Sequence, residues 1–235
     1  MSLTLTTEER DEARRLIARL GELLNKAEAA PAPIPAAPPA APAANGPVIG
    51  LFAEDYAEAA ARLRCDVAAI RAVDDVESNG RGFGPDGRPV ILFEPHVFSR
   101  LTGHRFDSTH GGVSYPKWGQ KPYKKTQAER WDQLLYAANL DREAAYKSAS
   151  YGRFQIMGFN HEACGFPTVD AFVAAMRRSE REHLLAFVQF VISNKLDDEL
   201  REGRWEDFAR RYNGPAYAAN GYHTKLASAH ARHAA

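Results

Sequence analysis

Cysteine is scarce in this chain: Cys65 and Cys164 are the two in 235 residues. Two cysteines make no disulfide framework, and both read as reduced core residues, with a bridge between them as the second reading. Long apolar runs are absent, so no transmembrane helix and no stable membrane insertion are expected. The N-terminus has mixed charge, with no basic stretch leading into an apolar one, so no secretory signal is read there. Neither sign of charge is in excess, since Lys+Arg and Asp+Glu both number 30. That balance argues against a nucleic-acid binder driven by overall charge. His96, His104, His110 and His161 come without a His-Glu-x-x-His motif or paired cysteines, so no metal is expected. Asn79 to Gly87 is glycine-rich but lacks the strand-to-helix setting of a phosphate loop, and no cofactor is expected. What is present is ordinary for a globular chain, with 45% hydrophobic and 26% charged residues, enough for one domain plus an appendage.

The appendage comes first. Residues 6–28 read as a helix capped by Thr6 or Thr7, with Glu8, Glu9, Asp11 and Glu12 loading its first turns. Ala13, Leu16, Leu20, Leu23 and Ala27 form a short seam. Two heptads leave two readings open: a loosely docked amphipathic helix, or one that self-associates or docks on a partner. Residues 29–47 are almost wholly alanine and proline, with seven prolines from Pro31 to Pro47. Proline removes a helix donor and stiffens the backbone, so this reads as an extended linker reaching ~50 Å at about 3 Å per residue. The chain therefore divides into an N-terminal helix (1–28), a linker (29–47) and a main domain (48–235).

Within that domain one glutamate has a distinctive setting. Val67, Ile70, Val73 and Val76 recur every three residues as a buried helical stripe, and Asn79, Gly80, Gly82, Gly84 and Pro85 end that helix. Glu77 stands where the stripe meets the turn. A carboxyl there loses solvation, so its pKa rises and it can hold a proton near neutral pH, as a general acid must. The plain alternative is an exposed glutamate in a last helical turn. Further along lie Ser150-Tyr151-Gly152-Arg153-Phe154-Gln155-Ile156-Met157 and Tyr212-Asn213-Gly214. Gly152 permits close backbone approach, and Gln155 offers both a donor and an acceptor.

Glu77-Ser78, then Ser-x-Gly-x-x-Gln-Ile-Met, then Tyr-Asn-Gly is an order that resembles the lysozyme-like superfamily, which includes lytic transglycosylases and goose-type lysozymes. The run from Ala72 to Phe83 followed by Ile91-Leu92-Phe93-Glu94-Pro95-His96-Val97-Phe98 is similar to the N-acetylmuramidase domain of modular phage endolysins, over roughly residues 48–233. The resemblance implies a mainly α fold, a lysozyme-like helical domain with one small β-hairpin. It implies a peptidoglycan hydrolase cutting between N-acetylmuramic acid and N-acetylglucosamine. Such a protein would be made in the bacterial cytoplasm and act on the wall after release or delivery. Glu77 is then the acid. Glu94 is the leading second carboxylate, with Asp86 and Glu143 weaker and an arginine ion pair as the competing reading of Glu94. Ser78, Ser150, Gly152, Gln155, Tyr212 and Asn213 are expected at the substrate, as are Tyr123 and Trp118 from the loop 102–125. Tyrosine, tryptophan and lysine in that loop suit sugar faces and acidic groups. A lytic transglycosylase giving 1,6-anhydro products and a non-catalytic wall-binding module are the alternatives. Many family members carry a three-helix wall-binding domain at the N-terminus; this chain departs from that pattern, with one helix and an Ala/Pro linker read in its place.

The remaining elements follow from caps and periodicity. Helices are expected at 53–64, 67–77, 95–101, 126–139, 142–149, 168–176, 179–196, 197–202, 204–212 and 222–232, with a hairpin over 82–93.

Overall fold

A computed structural model describes residues 47–78, 81–214, 217–218 and 220–235. The helix expected over 6–28 and the linker as far as residue 46 lie outside the described residues, as do Asn79 and Gly80 of the turn.

The domain opens with Val48 bridged to Ser179, its N–H donating to the Arg178 carbonyl at 3.0 Å. Helix α1 (Ala53–Leu63) follows. It buries Tyr56, Ala59, Ala60 and Leu63, and the Asp55 carboxylate accepts from the Phe52 N–H at its start. Helix α2 (Val67–Ser78) starts at Asp66, whose carboxylate accepts from the Ala69 N–H at 2.7 Å. Of the expected stripe, Ile70 and Val73 are fully buried together with Ala69 and Ala72, Val76 is partly buried, and Val67, in the first turn, is exposed.

The expected hairpin over 82–93 forms in its first part only. Residues 82–90 close a short antiparallel hairpin, with Phe83 bridged to Pro89 and the Gly84 and Val90 N–H groups donating to the Arg88 and Gly82 carbonyls at 2.8 and 2.9 Å. The apolar run beyond it forms strand β1 (Ile91–Phe93), which pairs antiparallel with β2 (Ala149–Tyr151); β2 pairs in turn with β3 (Ile156–Met157). The Ser150–Met157 run makes a second hairpin, in a three-stranded sheet ordered β1-β2-β3. Ile91 and Phe93 find fuller burial under helices than a two-stranded ribbon provides.

Helix α3 (Pro95–Leu101) begins with Pro95 in its first turn and Glu94 at the N-cap. After the loop 102–125, Thr126 and Glu129 close the expected capping box on α4 (Gln127–Leu140), which buries Trp131, Leu134 and Ala137. Asp141 caps α5 (Arg142–Lys147), which ends sooner than expected because Ala149 is already in β2. A 3-10 turn (Gly158–Asn160) leads to α6 (Val169–Met176), capped by Thr168, and to α7 (Glu180–Ser193), capped by Ser179. Helix α7 carries Leu184, Phe187, Val188 and Val191 through the core. Helices α8 (Asp197–Glu202), α9 (Trp205–Asn213) and α10 (Tyr222–Ala234) complete the domain, and α10 lies along α2. Cys65 and Cys164 are both free thiols. Among the described residues no helix is long and apolar enough to cross a membrane. The architecture is mainly α with one small sheet.

Candidate active site

Glu77 lies in the last turn of α2, half-buried. Two donors reach its carboxylate from distant elements. The Tyr222 hydroxyl, from the first turn of α10, donates to Oε1, and the Asn213 amide, from the end of α9, donates as well. Burial raises the Glu77 carboxyl from 4.5 to about 7, outweighing both donors, which favour the ionised form. The result is a carboxyl that exchanges its proton near neutrality, fit to act as acid and then as base. Burial, and then the same anion, drives the Tyr222 hydroxyl far above its usual range, so it remains a donor.

The carboxylate expected as second, Glu94, sits elsewhere in chain order. Glu94 follows β1 at the N-cap of α3 and accepts from the Tyr123 hydroxyl at 2.9 and 3.0 Å. The Trp118 indole N–H donates to that same hydroxyl at 3.1 Å, and His96 Nδ1 lies 3.2 Å from the carboxylate. Three residues singled out separately in the sequence therefore form one hydrogen-bonded chain, Trp118 to Tyr123 to Glu94. Burial raises the Glu94 carboxyl, offset in part by the Tyr123 bond. Burial and then the Glu94 charge push the Tyr123 hydroxyl up to about 12. The groups on Glu94 are a phenol and an imidazole, not the arginine that a structural ion pair would use. Asp86 instead pairs with Arg88 and Glu143 with Lys147.

The other expected residues divide by exposure. Trp118 is 72% exposed and Tyr123 38%, so both present aromatic surface outward. Ser150, Gly152 and Gln155 spend their hydrogen-bonding groups on one another: Ser150 Oγ donates to Gln155 Oε1 at 2.9 Å, and Gln155 Nε2 to the Gly152 carbonyl at 2.8 Å. Gln155 holds φ at +46°, strained for a side-chain-bearing residue, so this trio shapes the β2–β3 turn. Ser78 is the last residue of α2. The Tyr212 ring is wedged among Phe187, Phe190 and Phe208, and its hydroxyl donates to the Phe154 carbonyl at 2.9 Å; its neighbour Asn213 is the one that reaches Glu77.

Beneath Glu77 lies a buried polar network that the sequence reading missed. Asp74, one turn earlier on α2, takes the Arg153 guanidinium on both oxygens and the Tyr56 hydroxyl at 2.5 Å. Arg153 Nη1 also donates to Glu180 at 2.7 Å. Glu180 accepts from the Gly82 N–H at 2.6 Å and the Gly50 N–H at 2.8 Å, tying both segments to α7. His183 accepts from the Arg153 N–H at 3.1 Å and donates through Nε2 to the Met176 carbonyl at 2.6 Å; burial lowers it to about 4, so it is neutral. The signal was available: a charged residue on a buried stripe (Asp74), and Glu180 and His183 on a helix apolar on most faces. Tyr222 had no comparable local signal.

A small sheet set among helices, with a half-buried glutamate at the end of one of them, defines a lysozyme-like fold. The family model for N-acetylmuramidases (Muramidase) matches residues 66–234, and the chain belongs to that family. It is by family a peptidoglycan hydrolase. Among solved structures it is similar to the Burkholderia AP3 phage endolysin, at 44% identity and a TM-score of 0.72, covering 78% of this chain and 70% of that one. No curated protein matches the chain.

Proposed function

We propose that the protein hydrolyses the bond between N-acetylmuramic acid and N-acetylglucosamine in bacterial peptidoglycan, with Glu77 as general acid. The observation that carries this is the Glu77 carboxyl, raised to about 7 at a helix end with Tyr222 and Asn213 on it. Glu77 gives its proton to the leaving glycosidic oxygen as the sugar ring develops oxocarbenium character. Water then adds at the anomeric carbon, and its proton passes to a carboxylate. Glu94 takes the second carboxylate role, supported by its burial and its tie through Tyr123 to an exposed tryptophan. Trp118 and Tyr123 offer apolar ring faces to the sugars, and Asn213 keeps a donor beside the acid.

Mass spectrometry of fragments from purified peptidoglycan, run beside Glu77→Gln, tests the reading. Soluble fragments with muramic acid at the reducing end, lost in the variant, are the expected result. Fragments lighter by one water mean a lytic transglycosylase. Wall binding without release means a binding module. The anomeric configuration of the first product decides whether Glu94 attacks the sugar or activates water.

A further inference from the structure

The outward face of α4 is built differently from its buried one. Glu129, Asp132, Gln133 and Tyr136 follow the i, i+3, i+4, i+7 spacing and share one side of the helix, away from Trp131, Leu134 and Ala137. Opposite them stands the loop segment Thr109–Val113, and Lys124 closes a third side. Together these line an open cavity of about 500 Å³, in the range of small-ligand sites. The walls are pinned: Gln133 Nε2 donates to the Gly112 carbonyl at 2.7 Å, and the Glu129 carboxylate holds the Thr126 N–H and hydroxyl at 2.9 and 2.8 Å. The Tyr136 ring is 51% exposed, with the His110 ring 6.0 Å away. None of the lining residues is among the partners described for Glu77 or Glu94.

The geometry points to a second, non-catalytic site at this cavity that binds an uncharged pyranose unit of a glycan strand. An exposed aromatic face beside carboxylate, amide and ammonium groups matches the two sides of a sugar ring, one apolar and one rich in hydroxyls. Glu129 and Asp132 are balanced by Lys124 and by Lys121, whose ammonium donates to the Gly111 carbonyl, so the walls carry no net charge that would favour a charged ligand. The site lies one residue beyond Tyr123 in the chain, so a strand held here is retained close to the residues that contact Glu94.

The test uses the full-length chain carrying Glu77→Gln, labelled with ¹⁵N and titrated with N-acetylglucosamine tetramer. The amides of Gly111, Gly112, Gln133 and Tyr136 are expected to shift and saturate. Adding Tyr136→Ala should abolish those shifts and weaken binding to purified sacculi about 5- to 10-fold. Asp132→Asn gives a second reading if Tyr136→Ala does not fold. Unmoved amides, or unchanged sacculus binding in a folded variant, overturn the proposal. So does a stem peptide that moves these amides where the tetramer does not. None of these readouts needs cleavage, so failure of the hydrolase reading leaves a separate signature.

Discussion

At the scale of single residues, the behaviour of Glu77 turns on two opposed effects, burial raising its pKa and two donors lowering it. The folded pKa of about 7 lies above the ordinary 4.5, so the native state binds the extra proton between those values. Stability contributed by this group is full below pH 4.5 and is lost as pH rises toward 7. Glu77→Gln should therefore be more stable than the parent at pH 8, by roughly 3–4 kcal/mol at about 1.4 kcal/mol per pKa unit, and no more stable at pH 4. Thermal melts at the two pH values check this. The same variant should lose on the order of 10²–10⁴-fold in rate. Tyr222→Phe removes a donor to the ionised form, so the Glu77 pKa should rise and the alkaline limb of the pH–rate profile should move to higher pH. A limb that stays in place would show that Tyr222 packs against the acid without tuning it.

At the scale of elements, the β2–β3 turn is pressed against α7. Gly152 has φ +69°, and a Cβ added there would stand 2.7 Å from the His183 ring. Gly152→Ala combines left-handed strain with overpacking, and should cost about 2–4 kcal/mol in a denaturant titration. His183 responds to pH in the opposite sense to Glu77. Its folded pKa, lowered to about 4, means stability is lost as pH falls from 6.5 toward 4. The slopes of Glu77 and His183 offset each other across the weakly acidic range. Glu77→Gln should accordingly show a steeper loss of stability below pH 6 than the parent.

At the scale of the whole domain, the Asp74–Arg153–Glu180 cluster joins α2, the β2–β3 turn and α7. Removing the guanidinium leaves two carboxylates buried without their shared cation. Arg153→Met should cost about 3–5 kcal/mol, far more than loss of an exposed pair such as Arg142–Asp170. Urea midpoints for Arg153→Met and Arg142→Met, compared side by side, read the difference. Since Glu180 also holds Gly50 and Gly82, the cluster links the domain's entry at Val48 to the segment beginning at Gly82.

Local chemistry wrote most of the elements into the chain. The caps at Asp66, Thr126, Asp141, Thr168 and Ser179 each act within three or four residues, and the stripe of α2 needs only its own periodicity. The setting of Glu77 at a helix end beside that stripe was legible for the same reason, as was the order of motifs that marks the family. Strand pairing was not. Which partner β1 takes depends on burial supplied by residues nearly 60 positions away, and a run of Ile-Leu-Phe carries no record of its partner. Likewise Tyr222 meets Glu77 across 145 residues, and Arg153 meets Asp74 across 79. Those contacts exist because α10 lies along α2 and the β2–β3 turn packs beneath it. The sequence alone determined that a carboxyl would stand at the end of α2; only the tertiary structure decided which hydroxyl and amide hold it there, since long-range packing leaves no periodicity behind.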